Sequence, residues 1–156
     1  MELTLSKALK LKNRLVKKLN KVDADLARVN VELKENPHEV DATGLMKLRH
    51  RVVEDLVALK MSINEGNRDI QEAIYQMAEC RGEIAMLNRL DTRHGVVMNN
   101  SHFGAASEKM ECVAQIRKAD VDTAVESIEG ILDGLQDRVD EHNATTKITV
   151  HLQTVE

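Results

Sequence analysis

Four residues of the types that bind zinc or act as nucleophiles lie in the second half of the chain: Cys80, His94, His102 and Cys112. The gaps between them hold 13, 7 and 9 residues, whereas compact zinc sites pair their ligands at the short spacing of Cys-x-x-Cys. Cys80 falls on an apolar helical face, where a buried thiol packs as a small hydrophobic side chain. A lone cysteine without a local signature is weak evidence of a nucleophile. We therefore expect no metal site and no catalytic cysteine.

Other catalytic motifs are absent from the sequence as well. It has no phosphate-binding glycine loop, no nucleophile elbow and no dinucleotide fingerprint. We therefore expect no enzyme activity, no catalytic residue and no cofactor.

A stripe of basic residues runs along the first predicted helix. From Lys7 to Val22 the chain has seven Lys or Arg and no acidic residue. Because they recur every three or four residues, they share one helix face beside a leucine seam. We call the following six residues the basic stripe: Lys7, Lys10, Arg14, Lys17, Lys18 and Lys21.

The last predicted helix has the opposite charge. Residues 1–51 carry twelve basic and seven acidic residues, whereas residues 119–156 carry two basic and nine acidic. Charges that flank a helical seam commonly select the partner and its orientation. We predict that the basic stripe pairs with an acidic face made of Asp122, Glu126, Glu129, Asp133, Asp137 and Asp140.

A basic helix can also bind nucleic acid or a membrane surface. The net charge of −4, the pI near 5.9 and the near absence of stacking aromatics disfavour nucleic acid. Residues 3–22 resemble a basic amphipathic helix that binds membranes, but the seam continues to Leu33 and the chain has no Trp. We therefore predict a non-enzymatic, self-associating helical scaffold or interaction protein. A membrane-active protein is the first alternative and a nucleic-acid-associated protein the second.

Heptad spacing of apolar residues predicts three helices. The first covers about residues 4–35 and ends at Pro37, which disfavours a helical residue before it. The second covers about 43–92, because the apolar pattern keeps its phase across Gly66; a tight turn at that glycine is the alternative. The third covers about 120–143.

Alternating apolar residues predict two strands, at about 111–117 and 147–153, and residues 94–109 are predicted as a loop. The strands flank the last helix, so they can pair in parallel through a crossover. The elements predict a mainly α fold: a long antiparallel helical hairpin or coiled-coil bundle, with a small two-stranded β element near the C-terminus. We expect one domain over residues 1–156.

Length predicts self-association. A helix of about 50 residues spans about 75 Å, so the shorter helices leave part of the seam between Leu45 and Leu87 uncovered. A second copy can cover it, and we expect a homo-oligomer, a dimer or larger. We also expect a cytoplasmic protein, because the sequence has no secretory signal, no membrane-spanning apolar run and two isolated cysteines.

Three short motifs occur in order along nearly the whole chain: LSKALKLKNRLVKKL, SINEGN and HNATTKI. They are similar to the Leu-x-x-Ala-Leu-x-Leu-basic, Ile-Asn-x-x-Asn and Asn-x-Thr-Thr patterns of an uncharacterised family of small helical bacterial proteins, some labelled septicolysin-like. This chain has Ala144 where that family has an aromatic residue. The resemblance implies a helical architecture and no established catalytic residues, while the label implies membrane damage. The matching polar positions are Asn64, Asn67, Asn143, Thr145 and Thr146.

Overall fold

The computed structural model of the chain describes residues 1–31, 34–35, 40–99 and 108–154. It is mainly helical with small two-stranded antiparallel sheets, one of which includes the C-terminal strand, so the predicted fold class is confirmed. The elements in chain order are β1 (Glu2–Thr4), α1 (Leu5–Val29), α2 (Ala42–Gly66), α3 (Gln71–Leu87), β2 (Gly95–Asn99), β3 (Glu108–Cys112), α4 (Lys118–Thr145) and β4 (Lys147–Thr149).

The chain divides into two compact units. Unit 1 consists of Met1–Gln71 together with Asp140–Glu156, and unit 2 consists of Glu72–Val139. The single domain expected over residues 1–156 stays a prediction.

Unit 1 is built on an antiparallel hairpin of α1 and α2. Thr4 caps α1 by accepting from the Lys7 N–H, and Asp41 caps α2 by accepting two N–H groups. The seam residues of both helices meet in one core, which also includes residues after α4. The buried members of this core are Leu5, Ala8, Leu15, Val52, Leu56, Leu59, Ile63, Ile148 and Val150.

A two-stranded antiparallel sheet closes one end of this core. In β1 and β4, Glu2 lies opposite Thr149, Leu3 opposite Ile148 and Thr4 opposite Lys147. The Leu5 N–H extends the ladder by donating to the Thr146 carbonyl over 2.9 Å. The sheet therefore ties the start of α1 to the end of α4.

Unit 2 contains α3, the β2–β3 hairpin and most of α4. Its strands pair antiparallel with Val97 opposite Met110 and Gly95 opposite Cys112. Gly95 has φ +90°, which an L side chain rarely adopts. The buried apolar residues of unit 2, within the ranges described, are Ala73, Met77, Val121 and Ile128.

The first helix is shorter than predicted. It ends at Val29 instead of about residue 35, and Asn30 caps it by donating its N–H to the Leu26 carbonyl. Asn and the β-branched Val29 and Val31 have low helix propensity, which explains an end several residues before Pro37. The seam position Leu33 lies outside the described residues.

The helix predicted over 43–92 is interrupted, and its second part ends at Leu87. Gly66 closes α2, Asn67 has φ −88° and ψ 0°, and a 3₁₀ turn over Arg68–Ile70 leads into α3. Two consecutive residues of low helix propensity allow this break. Ile63 and Ile70, on either side of the break, are both buried. The apolar spacing therefore predicted the buried face correctly but did not predict the break in the helix.

The strand predictions were partly wrong. The strand expected at 111–117 lies at Glu108–Cys112 and pairs with β2, inside the segment predicted as a loop. The strand expected at 147–153 ends at Thr149, and the backbone N–H groups of Gln153 and Thr154 donate to the Asp55 carboxylate on α2 instead of to a strand. The two predicted strands lie in different sheets, so the parallel crossover is wrong.

Candidate functional site

The basic stripe lies on an exposed face of α1. Its residues, apart from Lys18, are exposed, while the seam positions Leu15 and Val22 on the same helix are buried. Lys18 is half-buried and donates from Nζ to the Thr154 carbonyl over 3.2 Å. Within the described ranges, no ion pair involves a residue of the stripe. Five cations therefore point into solvent along one side of the helix.

The acidic face lies on the exposed side of α4. All six of its carboxylates are exposed, and Asp122 pairs with Lys118 one turn earlier. Among the described residues, no ion pair involves the four central carboxylates Glu126, Glu129, Asp133 and Asp137. The face therefore presents a continuous negative surface beside the apolar seam of α4.

The two charged faces belong to different units. The stripe is in unit 1, and the acidic face, apart from Asp140, is in unit 2. Unit 1 has fifteen Lys and Arg against fourteen Asp and Glu, whereas unit 2 has seven against twelve, so their formal charges are +1 and −5. Pairing of the faces stays a prediction.

The polar positions that match the family motifs gather at the junction of α2 and α4 in unit 1. Asn67 ends α2, with its N–H donating to the Ile63 and Asn64 carbonyls. At the end of α4, the Thr145 hydroxyl donates to the Glu141 carbonyl over 2.8 Å. Asn64 is exposed and Asn143 half-buried. These contacts satisfy helix ends, which is the ordinary use of such residues.

His142 joins the two helix ends, and the sequence analysis missed it. Its Nε2 lies 2.8 Å from the Gly66 carbonyl oxygen and its Nδ1 3.2 Å from the Thr146 hydroxyl. Because a carbonyl can only accept, Nε2 carries a proton, and in the neutral ring Nδ1 accepts from the hydroxyl. The only signal in the sequence is its place directly before Asn143.

An open groove of about 480 Å³ lies beside this junction, between the last turns of α2 and β4. Asn64, Gly66 and Lys147 are among its lining residues. The Ser62 hydroxyl donates to the Thr149 carbonyl over 3.4 Å, across the same pair of elements. The groove combines apolar and polar walls.

Asp55 is a buried carboxylate, 2% exposed, that the sequence analysis also missed. Its Oδ1 accepts from the Gln153 N–H over 2.7 Å, and its Oδ2 accepts from the N–H and the hydroxyl of Thr154 over 2.8 and 2.5 Å. Burial raises the pKa of Asp55. The hydrogen bonds from Thr154 and Gln153, together with the charge of Lys18, lower it by more, so the pKa lies below its ordinary value. Asp55 therefore fastens the C-terminal segment to α2.

The candidate zinc residues do not form a group of three where the structure describes them, although His94 and Cys112 lie at the same end of the β2–β3 hairpin. Cys80 lies on α3, Cys112 on β3, and His94 Nδ1 accepts from the Ala114 N–H over 3.3 Å. His102 lies outside the described residues. In the described part of the chain, no group of three His, Cys, Asp or Glu side chains could hold a metal ion.

Comparison with known protein families, with curated proteins and with solved structures finds no match to this chain. The resemblance to septicolysin-like proteins therefore stays a prediction. None of the described helices combines the length and the apolar composition that crossing a bilayer requires.

Proposed function

We propose that this protein is a non-enzymatic, self-associating helical scaffold or interaction protein. The observation that carries the proposal is the apolar seam of unit 2, which the described residues cover only in part. Seam positions at heptad spacing on α3 and α4 are half-exposed: Cys80, Ile84, Leu87, Val125, Leu132, Leu135 and Val139. Burying a Leu-sized side chain contributes about 1.5–3 kcal/mol, so a second copy that covered several of them would gain a sizeable free energy.

The polar groups in unit 1 support a structural role. Asp55 is the buried charged residue of the described core, and its hydrogen bonds hold the C-terminal segment. Both ring nitrogens of His142 form hydrogen bonds at the junction of α2 and α4. These contacts join chain segments of unit 1 to each other, and this supports a structural role for both residues.

We further propose that the protein is bacterial and cytoplasmic. Cys80 and Cys112 are free thiols, which suits a reducing compartment. The family resemblance adds a bacterial origin and a helical architecture to this proposal, without a catalytic residue.

Sedimentation equilibrium at micromolar concentration tests the proposal. We expect a mass of at least twice the chain mass of 17.5 kDa. Leu132→Ser places a hydroxyl on the half-exposed seam and should weaken the association. Val57→Ser changes an apolar residue of α2 that is 57% exposed, and it serves as the control that should leave association unchanged. A single species of 17.5 kDa would contradict self-association.

A further inference from the structure

We propose that the basic stripe on α1 docks against the acidic face on α4 of a second copy of this chain. This inference rests on the proposed self-association and names the surfaces that carry it. A two-fold dimer would form the contact twice, because each copy has one stripe and one acidic face.

The two faces match in length and spacing. From Lys7 to Lys21 the stripe rises by about 21 Å, and from Asp122 to Asp137 the acidic face rises by about 22 Å. Charged residues recur every three or four positions on both helices. Opposite charges can therefore meet turn by turn along two helices lying side by side.

The apolar seam of α4 adds a second reason for this partner. Glu129 neighbours the half-exposed Val125 and Leu132 at helical spacings of four and three residues. A lysine that reaches Glu129 from a second copy would lay its aliphatic stem across these side chains, while its ammonium group stays at the carboxylate. The docked helix would cover apolar surface as well as neutralise charge.

Nucleic acid fits the stripe less well than an acidic helix. The chain has a net charge of −4, and its aromatic residues are Tyr75 on α3 and Phe103, which lies outside the described residues. Polyanion binding commonly uses a net positive domain and stacking aromatics, whereas unit 1 carries a formal charge of only +1.

Two triple variants with opposite charge changes test the contact. The stripe variant carries Lys10→Glu, Arg14→Glu and Lys17→Glu and leaves the hydrogen-bonded Lys18 in place. The acidic-face variant carries Glu126→Lys, Glu129→Lys and Asp133→Lys. We expect each variant alone to self-associate at least tenfold more weakly than the wild-type chain in sedimentation equilibrium, because like charges then face each other. A 1:1 mixture should form a heterodimer of near wild-type affinity, since both contacts regain opposite charges.

A control variant on α2 carries Lys47→Glu, Arg51→Glu and Lys60→Glu. It makes the same change in net charge as the stripe variant, at exposed positions on another helix. It should associate as the wild type does. Circular dichroism melting curves of all variants establish that each is folded, and the mixing experiment uses only folded chains. Replacement of the same stripe residues by Gln provides a milder set, which should weaken association without repulsion.

Each result decides between the two proposals. A monomeric wild-type chain overturns self-association itself. A wild-type dimer that is unchanged in both triple variants overturns only the charged contact, and so does a loss that mixing fails to restore. Retardation of a 20-base-pair DNA duplex at 150 mM salt by the wild type, but not by the stripe variant, would assign the stripe to nucleic acid and also overturn this inference.

Discussion

Units 1 and 2 share the same heptad pattern of apolar residues but bury it to different extents. In unit 1, Leu56, Leu59 and Ile63 of α2 are buried beneath α1, the β1–β4 sheet and the C-terminal segment. In unit 2, Leu132 and Leu135 of α4 remain half-exposed. A heptad pattern specifies which face of a helix is apolar, and burial then depends on how many elements cover that face.

The largest expected effect compares two leucines on equivalent seams. Leu59→Ala should destabilise unit 1 by about 2–5 kcal/mol, because Leu59 is fully buried and its loss leaves a cavity. Leu132→Ala should cost about 1 kcal/mol or less within one chain, because its side chain is already half in water. Urea unfolding monitored by circular dichroism measures both variants at one protein concentration. Equal losses would contradict the difference in burial between the two units.

A glycine in each unit provides the next comparison. A Cβ on Gly66 would lie 2.7 Å from Ile148 Cγ2 and 3.0 Å from Leu5 Cδ2. Gly66→Ala should therefore destabilise by about 1–3 kcal/mol, because the packed core must shift to admit the methyl group. Gly82 of α3 has no described atom within 4 Å of such a Cβ. Gly82→Ala should stabilise by up to about 1 kcal/mol through helix propensity. Thermal melting measures whether each variant is more or less stable than the wild type. A stabilising Gly66→Ala would contradict close packing around Gly66.

Gly66 also shows how far the sequence predicts this fold. The apolar period identified the buried residues Leu59, Ile63 and Ile70 on both sides of it. The spacing could not reveal the break at Asn67, because a single 3₁₀ turn barely changes the spacing of the apolar residues along the sequence. It gave no sign that Gly66 packs against Ile148, because that contact joins residues 82 positions apart in sequence.

The site was predicted to a similar degree. Periodic charges placed the basic stripe and the acidic face on exposed helix surfaces, as a solvated helix face requires. Asp55 and His142 were missed, because each is a single polar residue that contacts a segment distant in sequence: Asp55 contacts Gln153, and His142 contacts Gly66. The strand β1 was missed because three residues are too few to show an alternating pattern.

The lowered pKa of Asp55 predicts an acid-dependent loss of stability in unit 1. A carboxylate with a folded-state pKa below its unfolded value contributes its full stability above the unfolded pKa, near pH 4. That contribution is lost as the pH falls through the lowered folded value. Asp55→Asn should destabilise by about 1–3 kcal/mol at pH 7, because the amide cannot accept at both positions. Its difference from the wild type should shrink below about pH 4.

Glu54 supplies the control for Asp55. Its carboxylate is exposed and accepts from the Gln153 side-chain amide over 3.1 Å, beside the buried carboxylate. Glu54→Gln should change stability by less than about 0.5 kcal/mol at any pH, as surface substitutions usually do. Urea unfolding between pH 7 and pH 2.5 measures all three chains. If the difference in unfolding free energy between the wild type and Asp55→Asn stays constant over this range, the pKa of Asp55 does not change on folding.

The smallest expected effect concerns surface charge in the two units. In unit 1, Arg49 Nε lies 2.7 Å from Asp23 Oδ1 and joins α2 to α1, with both side chains about two-fifths exposed. A double-mutant cycle with Arg49→Ala and Asp23→Ala should give a coupling of about 0.2–1 kcal/mol, because solvent screens the pair. The pair Lys118 and Asp122 on α4 of unit 2 should couple by about 0.3–0.5 kcal/mol within one helix. If the unit 1 pair coupled by more than about 2 kcal/mol, ion pairing would explain much of the difference between the units that we attribute to apolar burial.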